Sequence, residues 1–220
     1  MIARIFFLIR HEIRLEFRQQ HTLAGIALFA LATVYLCYQA FNRIEDKVTW
    51  NALLWVIILF TAFSAVGKSF QHRRKGLRLY LYWTIKPGEY ILAKILYNMA
   101  LMCIMALLVL ASYSLFLGNP LGVDGIYEYL LGLLVGAIGF GSILTLIAAI
   151  AEQSQSGVGL TAVLGLPIVI PLILLLNEYN TNVMNQLPLV ENGINLVFLA
   201  VLSSGIIALS YLLFPYLWRD

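Results

Sequence analysis

Six apolar stretches, at residues 22–41, 50–70, 91–117, 127–151, 158–176 and 194–218, constrain this chain more than any other feature of its sequence. A bilayer core about 30 Å thick needs roughly 20 apolar residues per spanning helix, whereas a barrel strand needs only about 9–11. None of the stretches shows the period-two alternation of apolar and polar residues that a barrel strand requires. Hydrophobic residues make up 61% of the chain and charged ones 11%, against about 45–50% and about 25% in soluble domains, so a soluble fold is excluded. The expectation is an all-α membrane protein, a single domain over residues 1–220 with six transmembrane helices.

The basic residues orient it. Of the 14 Lys and Arg, Arg4, Arg10, Arg14 and Arg18 precede the first stretch, and Lys68, Arg73, Arg74, Lys75, Arg78, Lys86 and Lys94 surround the second connection. Arg219 follows the last stretch, and only Arg43 and Lys47 fall on the opposite side. Cytoplasmic loops carry the excess of Lys and Arg, which predicts cytoplasmic termini and a cytoplasmic second loop in a bacterial inner membrane. The net charge of +3 then reads as topology and contact with anionic headgroups; no nucleic-acid partner is expected. No small-residue cleavage pattern follows the first stretch, so no removable signal peptide is expected.

Residues 1–20 place Ile2, Phe6, Ile9, Ile13 and Phe17 on one helical stripe, with Arg10, Arg14 and Arg18 on the ridge beside it. Such a helix lies in the headgroup plane with its apolar side down, as a passive anchor or as one that also touches a partner. The loop at 68–90 combines its basic cluster with Leu77, Leu79, Tyr80, Leu81, Tyr82 and Trp83. A solvated loop has no use for so many large apolar groups. They either sit among the interfacial aromatics or form a short helix near 74–83 that enters a cleft on a soluble partner. Lys68 and Lys94 bracket this loop and are expected to snorkel to the headgroups, because a charge at depth costs about 2.5–3.5 kcal/mol.

Other patterns carry no chemistry. Residues 62–69, A-F-S-A-V-G-K-S, fall one residue short of a phosphate loop and end an apolar helix with no strand before it, so if ATP drives this protein another chain binds it. His11, His21 and His72 stand beside basic residues with no ligand spacing, and Cys37 and Cys103 lie inside apolar stretches as packing residues. No catalytic, cofactor-binding or metal site is expected. Gly132 and Gly136 give G-x-x-x-G spacing for close helix packing. Pro167 and Pro171 interrupt the fifth stretch and are expected to bend it, as a hinge or a structural kink, with the freed carbonyls facing the bundle interior or a partner rather than lipid. Residues 177–195, rich in Asn and broken by Pro188, are expected to form an outer loop that dips into the interface at 187–190.

Taken together, the interfacial basic helix, six spans, large second loop and broken fifth span resemble the permease subunits of ABC-2 type transporters. Within that group the chain is similar to the haem exporter protein B (CcmB) family of cytochrome c maturation. Arg14, Glu16 and Arg18 before the first span carry this, with Gly76 and the run Leu92, Ala93, Lys94 around the second loop. The most specific part is L-P-I-V-I-P at 166–171. Family members usually place acids just before the loop glycine, whereas this chain has Arg74 and Lys75 there. The resemblance implies a homodimeric permease that binds no cofactor of its own and handles or exports haem. Its implied partners are a cytoplasmic ATPase of the CcmA type, a haem-handling membrane protein of the CcmC type, a small CcmD-type subunit and a periplasmic haem chaperone of the CcmE type. Residues Arg74, Lys75, Gly76, Leu79, Tyr80 and Tyr82 would form the ATPase-coupling segment. A permease for another lipid or glycan substrate, or a scaffold without transport, are the alternatives.

Overall fold

The computed structural model describes residues 2–17, 20–41, 44, 46–71, 86–120, 125–153, 157–187 and 189–217. These form seven helices and no strand among the described residues: α1 (Ile2–Phe17), α2 (Gln20–Phe41), α3 (Lys47–Gln71), α4 (Pro87–Leu117), α5 (Ile126–Gln153), α6 (Gly157–Met184) and α7 (Leu189–Leu217). The last six each contain a stretch long and apolar enough to cross a membrane. Helices are what such sequences must form, since every N–H and C=O in a hydrocarbon layer needs a partner within its own segment.

Local chemistry sets the helix ends. Asp46 caps α3, its carboxylate accepting from the Thr49 N–H at 2.9 Å and from the Thr49 hydroxyl; the hydroxyl contact first, then the backbone ones, holds its pKa below the usual carboxylate value. Pro87 starts α4, where its missing N–H is no loss, and Glu89 follows in the first turn. Helix α6 closes in a Schellman turn. Gln186 takes φ 59°, its N–H donates to the Val183 carbonyl at 3.0 Å, and the Leu187 N–H reaches the Asn182 carbonyl at 3.1 Å.

Helix α5 is the axis of the bundle, packing against α3, α4, α6 and α7, with 78% of its span buried. Glycines permit this. A Cβ on Gly141 would lie 2.8 Å from the Met99 Cα, so the backbones of α4 and α5 meet there. One on Gly136 would strike Trp55 and Leu176 at 2.7 and 2.8 Å, the close packing that the G-x-x-x-G spacing predicts. Helices α2 and α7 stand at the periphery, each with only 17% of its span buried, and α1 lies against α4 and α2.

One expectation about the spans is corrected, and of the two placements expected for the fifth-span prolines, bundle interior or partner, the first is ruled out. Residues 177–195 are not an outer loop: α6 runs to Met184 and α7 starts at Leu189. Their asparagines do not need water, because the bundle itself supplies partners (below). Pro167 and Pro171 do not face the interior of this bundle. Helix α6 runs through both, and both rings are exposed on the chain's own surface, among the exposed side chains of Val163, Leu166, Ile168 and Ile170.

Candidate functional site

The bundle has two ends of different chemistry. At the far end, where α3, α5 and α7 begin and α4 and α6 finish, neutral polar side chains tie the helices together. Asn51, fully buried, is the hub. Its amide N–H donates to the Asn177 side-chain oxygen at 2.8 Å, and its oxygen accepts from the Tyr129 hydroxyl at 2.8 Å, joining α3, α5 and α6. The Trp50 indole donates to the Gly118 carbonyl at 3.0 Å, and the Tyr113 hydroxyl to the Trp50 carbonyl at 3.2 Å. Asn192 of α7 donates to the Tyr179 carbonyl at 2.9 Å, while the Tyr179 hydroxyl reaches the Glu128 carbonyl at 3.1 Å. Lys47 donates to the Met184 carbonyl at 2.7 Å, a cation on the last turn of α6. Edge-to-face contacts of Trp50 with Tyr113 and Tyr129, at 5.0 and 5.9 Å between centroids, fill the space between the polar groups.

The near end, where α1, the finish of α3 and the start of α4 meet, uses charge. Lys94, two turns into α4 and only 1% exposed, donates to the Glu12 carboxylate of α1 at 2.8 Å. The same ammonium donates to the Ser69 carbonyl at 2.8 Å. That carbonyl belongs to the last turn of α3, whose carbonyls lack intrahelical partners. The expectation that Lys94 snorkels to the headgroups is therefore corrected: its ammonium is buried against the Glu12 carboxylate and the Ser69 carbonyl, which take the headgroups' place. Arg4 lies 3.9 Å from Glu89, a weaker contact in the same sense. On the other side of the α4 start, Tyr90 stacks on Phe214 of α7 at 5.6 Å, and Tyr211 fills the space beside Gly88.

The interfacial-helix residues fall on three faces of α1. Leu8 and Glu12 are buried against the bundle, Phe6 and Ile13 of the apolar stripe stay 70% and 40% exposed, and Arg10, His11 and Arg14 are exposed on the remaining side. Glu16 falls within α1, and Arg18 lies outside the described residues. The whole segment expected to couple to an ATPase, with Arg74, Lys75, Gly76, Leu79, Tyr80 and Tyr82, and the helix expected at 74–83, also lies outside them. What is described is its base: Ser69 on one side, Lys86 to Lys94 on the other. Residues 62–69 lie inside α3, which leaves no phosphate loop. No cluster of three or more metal-type side chains occurs among the described residues.

Sequence reasoning missed Glu12, Asn51, Asn177 and Asn192. The signal for the first was present. A lysine two turns into an apolar helix calls for an acid, and Glu12 stands in the one strongly amphipathic helix that precedes the spans. For the asparagines the signal was misleading, because a polar run at the end of an apolar stretch looks like a loop unless its partners on other helices are known.

A family profile described as ABC-2 type transporter matches residues 4–175. That match takes in most of α1, α2 to α5, the loop between α3 and α4, and most of α6. No curated protein matches the chain.

Proposed function

We propose, on the footing that the chain belongs to the ABC-2 type transporter family, that it is the permease through which a CcmA-type ATPase acts in cytochrome c maturation. As an ABC-2 permease it is a multi-pass membrane component, and ATP hydrolysis belongs to a separate subunit. The near end is cytoplasmic in this reading, since it collects most of the basic residues. Segment 72–86 then faces the ATPase, with Arg74, Lys75, Gly76, Leu79, Tyr80 and Tyr82 as the docking residues. The observation that carries this is the convergence of α1, α3 and α4 on Lys94 at the base of that segment. A push on the segment reaches three helices at once.

The cargo reading rests on the similarity to the haem exporter protein B family at Leu92 to Lys94 and at 166–171. The permease acts as a homodimer that exports haem or drives release of the loaded periplasmic chaperone, beside CcmC- and CcmD-type subunits. The exposed Pro167 and Pro171 face is offered to the second copy, since carbonyls freed by proline are not left to lipid. The test replaces Leu79, Tyr80 and Tyr82 with Ser. The ATPase is expected to be lost from the purified complex, and haem-stained c-type cytochromes to fall at least about tenfold, with membrane insertion intact; local loss of two or three buried interface side chains is enough for that. Normal cytochromes in a strain lacking the gene would overturn the haem reading. Undiminished capture of the ATPase by the triple variant would overturn the docking one.

A further inference from the structure

We infer that Glu12, Lys94 and the Ser69 carbonyl form a joint that fixes α1 to the base of segment 72–86, so that α1 moves as one body with the start of α4 when the ATPase displaces that segment. The inference rests on the coupling role proposed above.

Anchoring alone does not account for this contact. The exposed stripe with Phe6 and Ile13, beside Arg10 and Arg14, already suits α1 to a headgroup layer. It points away from the face that carries Leu8 and Glu12. A buried ion pair is a poor way to add stability, because desolvation offsets most of the attraction, but it is strongly directional and fixes which residues meet. Here the pattern is keyed. Helix α1 offers a base, Arg4, to the acid Glu89 at the first turn of α4, and an acid, Glu12, to the base Lys94 further along. A slip of α1 that carried Arg4 towards Lys94 would set like charges together, which is how a contact excludes the wrong register. The third member, Ser69, precedes the segment in the chain, while Lys94 follows it. Both legs of the segment and the external helix are thus held by one ammonium. Glu12 and Lys94 are positioning residues, acting through the segment rather than on any cargo.

The experiment compares Lys94→Met, Glu12→Gln and the double variant in the full chain, with Cys37 and Cys103 replaced by Ala and Leu8→Cys as reporter on the protein-facing side of α1. Each is purified with its ATPase. Two quantities are read: maleimide labelling of position 8, and the ratio of ATPase activity in the complex to that of the free ATPase. The single variants break a buried ion pair from one side and are expected to lower abundance. The double variant removes both charges together and is expected to recover abundance. If the pair were structural only, function would recover with it. Instead, position 8 is expected to label about tenfold faster, as a freed helix does, and the activity ratio to fall about fivefold or more. Lys94→Arg, which keeps the charge, is expected to hold both within about twofold. Parental labelling in the double variant overturns the joint. Faster labelling with an unchanged ratio makes α1 a bystander and overturns the inference as well. If the parent captures no ATPase, the coupling role itself has failed, and the labelling result still decides whether the joint exists.

Discussion

At the far end of the bundle the helices are joined by asparagine, tyrosine and tryptophan, and at the near end by lysine, glutamate and arginine. The two chemistries differ in what it costs to undo them. A neutral hydrogen bond contributes about 0.5–1.5 kcal/mol net, because water or another amide can replace either partner. Removing one member of a buried ion pair costs about 3–5 kcal/mol, because the other charge is left in a low dielectric. On the coupling proposed above, the far end exchanges partners while the near end holds, so that a displacement entering at segment 72–86 would pass through the joint and be released at the far end. Asn192 lies in the first turn of α7, Asn51 one residue past the first turn of α3, and Asn177 two turns before the end of α6.

The comparison breaks first at Lys94. Lys94→Met leaves Glu12 buried without its lysine and is expected to cost about 3 kcal/mol or more, read as a fall in the thermal unfolding midpoint of the purified chain. A loss no larger than that of a single neutral bond would make the two ends equivalent. Asn51→Leu removes the hub of the far end with little change in volume. Hydrogen bonds between membrane helices average only about 0.6 kcal/mol in double-mutant cycles, and a stranded buried partner costs about 1–3 kcal/mol. Their sum spans about 1.6–3.6 kcal/mol, its middle below the middle of the about 3–5 kcal/mol for Lys94→Met, and ATPase stimulation in the complex should survive it. The smallest effect belongs to the exposed cap at Asp46. Its carboxyl titrates below the usual carboxylate value because Thr49 donates to the charged form. The cap's contribution is therefore complete above the unfolded carboxylate value of about 3.9 and is lost as pH falls through the lower folded value. The difference in unfolding midpoint between the parent and Asp46→Ala should be constant from neutral pH down to that range and vanish below it.

The membrane spans were legible in the sequence because hydrocarbon allows little else. Length and apolarity alone give six helices, and the largest departure is α6, which continues to Met184 where the apolar stretch stops at Leu176. That departure has a cause. Periodicity records how one segment meets its solvent, and Asn177, Asn182 and Asn192 are solvated by other helices instead: Asn177 by Asn51 of α3, and the two others by one another across the α6–α7 turn. The near end was half legible. The stripe of α1 is plain in the sequence, yet the side that meets the bundle is a different one, with Leu8 and Glu12. Only the tertiary fold brings residue 12 beside residue 94.

Distances measured across both ends decide whether the near end holds while the far end opens. With Cys37 and Cys103 replaced by Ala, spin labels at the exposed positions Arg14 and Leu96 span α1 and α4, and labels at Val48 and Asn185 span the far end. Trapping the ATPase of the assembled complex with a non-hydrolysable nucleotide should leave the first distance distribution unchanged and shift or broaden the second. A shift in the first with the second unmoved would contradict the account.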